Sequence, residues 1–210
     1  AQPRGTNRLL GCAPKPIQAY PSAKAPGFDD AGRGLSLPGF PEGFLVEPLR
    51  GSHQRRAFDC GLDPVNQWLW TKALQNQEKH LSVTKVLSNP AGTLAGYYSL
   101  ATGQVDFSDL PAETVRKLPR RALPVAVLAW LGVDRAHQGR KLGSRLLAQA
   151  LKDCHAAGKT FAFVAVVIDC LDEKTKAFYR QWDFAELPGN PFRLFLGANT
   201  LEAMIGPAKG

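Results

Sequence analysis

The chain is poor in the residues that build metal centres and disulfide frameworks. Its 210 residues include four cysteines, four histidines and one methionine. Cys12, Cys60, Cys154 and Cys170 show no C-x-x-C spacing and no paired framework. No clustered Cys/His set has the spacing of a zinc site, so no metal is expected. Cys60, Cys154 and Cys170 read as packed thiols of a reduced chain. No apolar run approaches the roughly 20 residues of a membrane-spanning helix, and no membrane partner is expected. The first twenty residues lack the apolar core of a secretory leader. These absences together point to a cytoplasmic protein.

Acidic residues are scarce in one segment. Residues 116–145 hold Arg116, Lys117, Arg120, Arg121, Arg135, Arg140, Lys141 and Arg145 against Asp134 alone, seven of the chain's eight net positive charges. Charge concentrated in this way suits a polyanionic partner, either a phosphorylated cofactor or a nucleic acid. A solvated basic face is the simpler alternative.

The pattern along the chain is that of one α/β domain. Residues 1–40 are rich in Pro and Gly without periodicity and read as a flexible extension. Residues 41–200 form the domain, and 201–210 read as a tail. Strands are expected at 43–49, 81–88 and 93–105, the last two joined by the turn "NPAG". A helix is expected over 63–80, with Asp63 as N-cap, Pro64 in its first turn and Val65, Trp68, Leu69 and Leu74 inward. Trp70, two residues from Trp68, falls on another face and suits an interface. A polar, basic loop with a short helix is expected over 106–122. The run "LPVAVLAWLGVD" (123–134) is nearly continuous in apolar residues and reads as a central strand covered on both faces. A helix follows from about Gln138 to Ala157, with Gly158 as its C-cap. A buried strand at 160–169 then pairs in parallel with the central one, as a strand–helix–strand unit implies. A helix over 172–184, with Asp172 as N-cap and Ala177, Phe178 and Trp182 inward, and a strand at 190–197 complete a mixed sheet.

At the strand-to-helix junction stands "HQGRKLGSRLL" (137–147). A helix start leaves about four N–H groups unpartnered and carries roughly half a positive charge, so it suits a phosphate. His137 beside it is equally suited to a phosphate contact and to a solvated helix start. Neither a Walker A loop nor a dinucleotide G-x-G-x-x-G is present. Gln138-Gly-Arg-Lys-Leu-Gly143 instead resembles the Q/R-x-x-G-x-G/A pyrophosphate motif of the GNAT acetyltransferases, with Lys141 where the family has Gly. "AFYRQWDF" (177–184) is similar to the family's A-x-x-F-Y-x-x-x-G-F ending. "FDCG" (58–61), "NQWL" (66–69), "GYYSLA" (96–101) and "DEKTKAFY" (172–179) extend the resemblance to the GNAT-type toxins of bacterial toxin–antitoxin modules. It covers roughly residues 44–198. Many of these toxins carry L-G-R-L-A-V-D where this chain has "LAWLGVD", so Trp130 replaces an Arg and Gly132 an Ala.

The resemblance implies an α/β fold, a single GNAT-like domain whose mixed, mostly antiparallel sheet is flanked by helices. It implies acetyl-CoA held by Leu131, Gly132, Val133, Gln138, Gly139, Arg140, Lys141, Leu142, Gly143 and Ser144. It gives Tyr179 the role of general acid to the departing thiolate. The activity implied is acetylation of the α-amino group of aminoacyl-tRNA, which blocks translation. The partners implied are a ribbon-helix-helix antitoxin and a second copy of the chain. Arg116, Lys117, Arg120 and Arg121, apart from the cofactor helix, are candidates for the RNA backbone. A free α-amine has a pKa of about 8 and an esterified one lower, so no strong base is required, and the sequence offers no evident one. Two other readings share the fold: a GNAT enzyme for a small amine or protein amine, and a catalytically silent binding module.

Overall fold

The apolar run after residue 122 forms one long strand, and the other elements are arranged around it. The computed structural model describes residues 39–205 except Lys117. The proposed extension up to residue 38, Cys12 within it, and residues 206–210 lie outside the described residues. In chain order, β1 (Leu45–Pro48) leads to α1 (Asp63–Thr71) and α2 (Ala73–Glu78). The hairpin β2 (Val83–Ser88) and β3 (Leu94–Val105) is followed by α3 (Ala112–Val115) and β4 (Leu123–Val133). Next come α4 (Leu142–Gly158), β5 (Ala165–Asp169) and α5 (Glu173–Arg180). The hairpin β6 (Ala185–Leu187) and β7 (Asn190–Gly197) and the helix α6 (Ala198–Ile205) complete the described fold.

The seven strands form one sheet in the order β1-β2-β3-β4-β5-β7-β6. Among the described strands only β4 and β5 run parallel, as the strand–helix–strand unit requires. One face is covered by α4, α5 and α6, whose Leu146, Leu147, Leu151, Tyr179, Leu201 and Met204 pack on Tyr98, Leu128, Val166 and Ile168. On the other face Val65, Leu69 and Ala73 of α1 and α2 meet Val86, Leu94 and Tyr97. Beside them Leu110, Leu123, Val125, Val167, Leu187 and Phe195 form a third cluster. Central β4 is therefore covered on both sides, which explains its lack of hydrophobic alternation.

Several boundaries differ from those the sequence suggested, each for a local reason. The helix over 63–80 is two helices parted at Lys72, where Thr71 Oγ1 donates to the Gln67 carbonyl (2.8 Å) and competes with the backbone ladder. Leu62, not Asp63, is the N-cap of α1. The helix expected from Gln138 begins at Leu142, because Gly139 (φ 74°) and Lys141 (φ 58°) adopt left-handed backbone that no helix continues. Gly158 is the last residue of α4, with Lys159 as its C-cap. In α5 the buried residues are Lys176 and Tyr179, while Ala177 is exposed. Residues 201–205, read as tail, are helical because Leu201 and Met204 bury themselves against the core. Trp70, suggested for an interface, donates its indole N–H to the Phe58 carbonyl (3.0 Å).

Lys141 carries a left-handed backbone with a β-carbon, at a strain of about 1–2 kcal/mol. A glycine removes that strain and loses part of the gain to unfolded-chain entropy. Lys141→Gly is expected to raise stability in urea unfolding by about 1 kcal/mol. Lys141→Ala, which keeps the β-carbon, is expected to leave stability unchanged.

Candidate active site

Two hydrogen-bond facts fix which way the backbone of β4 points. Asp134 N donates to Ala95 O on the β3 side (3.0 Å), whereas Val164 N donates to Pro124 O on the β5 side (2.9 Å). Even-numbered residues thus face opposite neighbours at the two ends of one strand. A bulge reconciles them: Ser99 pairs with Trp130 and Leu100 with Leu128, leaving Ala129 unpaired. Beyond the bulge, alternation turns Trp130 and Gly132 to β3, and Leu131 and Val133 to the β5 side. The Val133 carbonyl agrees, since it accepts from Gln138 Nε2 on that side (2.9 Å).

On that side β5 has already left. The parallel pair is in register only at Ala126↔Val166 and Val127↔Val167. Past those positions the strands part, and a cleft of about 940 Å³ opens between them. It is lined by Leu131, Gly132 and Val133, by Gln138, Gly139, Lys141, Leu142, Gly143 and Ser144, and by Tyr179. The expected cofactor residues therefore lie along one cavity, with one exception. Arg140 is not in the lining; its guanidinium stands over the Phe44 ring at 5.7 Å.

The start of α4 forms one end of the cleft. No side chain caps it, and its first backbone bond is Arg145 N to Lys141 O (3.2 Å). The N–H groups of Leu142, Gly143 and Ser144 precede that bond, so the helix presents donors and the positive end of its dipole. A β-carbon at Gly139 would meet nothing within 4 Å, so its glycine serves the φ of 74°. Lys141 adds an exposed ammonium-bearing side chain to the same rim.

Gln138 is engaged otherwise than by a ligand. Its Nε2 donates to the Cys60 and Val133 carbonyls (2.9 Å each) and so ties the 58–61 loop to the end of β4. The rest of that tie explains several residues whose signal was only a resemblance. Asn66, 2% exposed, donates to Asp59 Oδ1 (2.7 Å) and accepts from Cys60 N (2.9 Å). Asp134 Oδ2 accepts from Asp59 N (3.0 Å), and Arg135 reaches Asp59 Oδ2 at 3.3 Å. The Gly61 amide and Asn66, then Arg135, hold the Asp59 carboxyl below its ordinary range. Sequence spacing gave no sign of this network, since its bonded partners are up to 78 residues apart.

Tyr179 lies across the cleft on α5, 3% exposed, edge-on to Phe178 and Phe184. Burial, and secondarily the Cys170 thiol, raise its hydroxyl above the ordinary 10.0, so it keeps its proton through neutral pH. Burial likewise pushes Cys170 up to about 11. Two carboxylates line the cleft and neither stands free. Asp172 caps α5 by accepting from Thr175 N (2.7 Å), and Asp169 pairs with Arg193 at 3.5 Å. Among the described residues, no histidine is in the lining. His137 is turned away, beside Asn89 Nδ2 (3.3 Å), Asp134 and the Phe44 ring.

The other basic group stands apart. Arg116, Arg120 and Arg121 are exposed in the segment before β4 and do not line the cleft. They lie at the opposite end of an eleven-residue strand from Val133, a span of about 35 Å. Lys117 lies outside the described residues.

Parted parallel strands, an uncapped helix start and a buried tyrosine thus lie along one cleft. Comparisons with known proteins show the family. The acetyltransferase (GNAT) family matches residues 46–184. A tRNA-acetylating toxin of Mycobacterium tuberculosis is 34% identical over 150 residues, which cover 71% of this chain and 89% of that protein. The solved structure of AtaT complexed with acetyl-methionyl-tRNAfMet has a TM-score of 0.71 and 25% identity, over 76% of this chain and 97% of that one. AtaTR bound with AcCoA has a TM-score of 0.68 and 26% identity, over 77% and 98%. On these matches, the chain belongs to the GNAT family of acetyltransferases.

Proposed function

We propose that the chain transfers the acetyl group of acetyl-CoA to the α-amino group of aminoacyl-tRNA and is the toxin of a toxin–antitoxin pair. The observation that carries this reading is the cleft between β4 and β5, with open amides along β4, an uncapped helix start at one end and Tyr179 across it. Acetyl-CoA fits these residues. The N–H groups of Leu142, Gly143 and Ser144, with Lys141, suit the pyrophosphate. The amides of Leu131 and Val133 suit the thioester carbonyl. Gln138 acts by holding the rim of the site in place, and Arg140 is within the motif without lining the cleft.

Acetyl-CoA supplies an activated carbonyl carbon and a thiolate leaving group. The chain's residues do the rest. The Leu131 and Val133 amides donate to the carbonyl oxygen as negative charge builds on it. The amine nitrogen bonds to the carbonyl carbon, the carbon–sulfur bond breaks, and Tyr179 Oη gives its proton to the departing sulfur. The amine's surplus proton goes to solvent, and solvent reprotonates the tyrosine. Asp169 and Asp172 are both engaged, which suits an amine that arrives neutral. An esterified α-amine meets that condition near pH 7, whereas a lysine side chain, with a pKa of about 10.4, does not.

Arg116, Lys117, Arg120 and Arg121 are proposed to follow the RNA backbone. They lie far from the cofactor's phosphate end, so a second anion is their natural partner. A ribbon-helix-helix antitoxin and a homodimer complete the proposal, with the chain acting in the cytoplasm. Among the described residues, no helix is long and apolar enough to cross a membrane.

Labelled acetyl-CoA incubated with charged tRNA is expected to place label on the aminoacyl group. In Tyr179→Phe kcat is expected to fall by about 100-fold or more with acetyl-CoA affinity retained. Acetyl-CoA binding without any transfer to tRNA would turn the assignment to a small or protein amine, and loss of no function in Tyr179→Phe to a binding module. The rate is expected to rise with pH as the amine deprotonates, at or below about pH 8, and then level off. The acid must be protonated to act and its pKa is raised, so no fall is expected below pH 10. Arg120→Glu with Arg121→Glu is expected to weaken tRNA binding and flatten its log K against log salt slope by about 1.5. An unchanged slope would remove these residues from the RNA site.

A further inference from the structure

Trp130 is the residue by which this chain departs from the arginine of its resembling toxins, and its setting gives it a definite job. The bulge at Ala129 turns Trp130 onto the α1 face of β4, beside Gly132. There its indole stacks on Trp68 (5.5 Å between ring centroids, 24°), and Trp68 stacks on Tyr97 (6.1 Å, 7°). Tyr97 is pinned in turn, because its hydroxyl donates to the Val65 carbonyl (2.7 Å). Gly132 makes room for this arrangement: a β-carbon there would meet Val65 at 3.0 Å and Phe58 and Tyr97 at 3.2 Å. Trp130 is thus a held aromatic plate, half-buried, that still lines the cleft.

The charges of the cleft are divided unevenly. Every lining residue between Cys60 and Val133 is uncharged, and Lys141, Asp169, Asp172 and Lys174 all belong to the α4–α5 side. The phosphate-binding helix start and Tyr179 occupy that side, which leaves the wall of Leu62, Val65, Val127 and Trp130 to the acceptor. A charged side chain placed against it loses water and finds no partner, which is costly. An apolar or aromatic side chain buries area on it and gains stacking geometry.

We propose that Trp130 sets acceptor specificity, selecting aminoacyl groups with a large apolar or aromatic side chain against charged ones and against glycyl. This rests on the aminoacyl-tRNA reading above. Discrimination by an apolar wall is worth roughly 10- to 200-fold.

The test uses the full chain, acetyl-CoA and tRNAs charged separately with phenylalanine, leucine, methionine, glycine, lysine and aspartate. The expected kcat/KM for the three apolar acceptors exceeds that for glycyl, lysyl and aspartyl by about tenfold or more. Trp130→Ala is expected to collapse that ratio with acetyl-CoA affinity unchanged, and Trp130→Phe to keep most of it. Circular dichroism and acetyl-CoA binding show whether each variant is folded. Preference for a charged or glycyl acceptor in the unaltered chain, or an unchanged ratio in a folded Trp130→Ala, would overturn the inference. Label on no charged tRNA at all, with acetyl-CoA bound, would instead fail the aminoacyl-tRNA reading and this inference with it.

Discussion

The parting of β4 from β5 is the constraint on which the rest of the site depends. A sheet interior has no spare donors, because each strand's amides are consumed by its neighbours. Here the parallel pair holds for two registered positions and then opens. The bulge at Ala129 decides which amides the opening frees. Without it, the opposite set of residues would face the gap, and the side chains now on the two faces of β4 would exchange places. One extra residue therefore both aims the amides of Leu131 and Val133 and puts Trp130 and Gly132 on the α1 face.

Such an opening costs backbone hydrogen bonds and must be held by other contacts. The long α4 and the aromatic residues of α5 fill one side, with Trp182 and Tyr179 buried beneath the divergent strands. On the other side the 58–61 loop is fastened by Asn66, Asp134, Arg135 and Gln138. Gln138 belongs to that fastening as much as to the phosphate motif, since its side chain is spent on two carbonyls. Motif residues here divide into those that line the cleft and those that keep its rim in place.

The sequence disclosed what depends on period and composition. The uninterrupted run 123–133 marked a doubly covered strand, and the strand–helix–strand order marked the parallel pair. The glycines and basic residues of 138–145 marked the strand-to-helix junction that ends the cleft. What it withheld depends on three-dimensional closure. The bulge at Ala129 leaves no trace in an apolar run whose residues all prefer burial. The left-handed Lys141 looked like a helix residue because nothing in its side chain signals φ. Asn66 and Asp59 drew notice only by resemblance, for their partners lie on distant segments. The stack of Trp130, Trp68 and Tyr97 joins three elements and has no local signature.

The most direct measurement is residue-resolved amide hydrogen exchange, with and without acetyl-CoA. Gly132 and Asp134, which face β3, should be protected in both states. Leu131 and Val133, together with Leu142, Gly143 and Ser144, should exchange freely in the absence of acetyl-CoA and slow when it binds. If acetyl-CoA binds and leaves the Leu131 and Val133 amides unprotected, the open edge of β4 does not hold the thioester, and the account of the site is wrong.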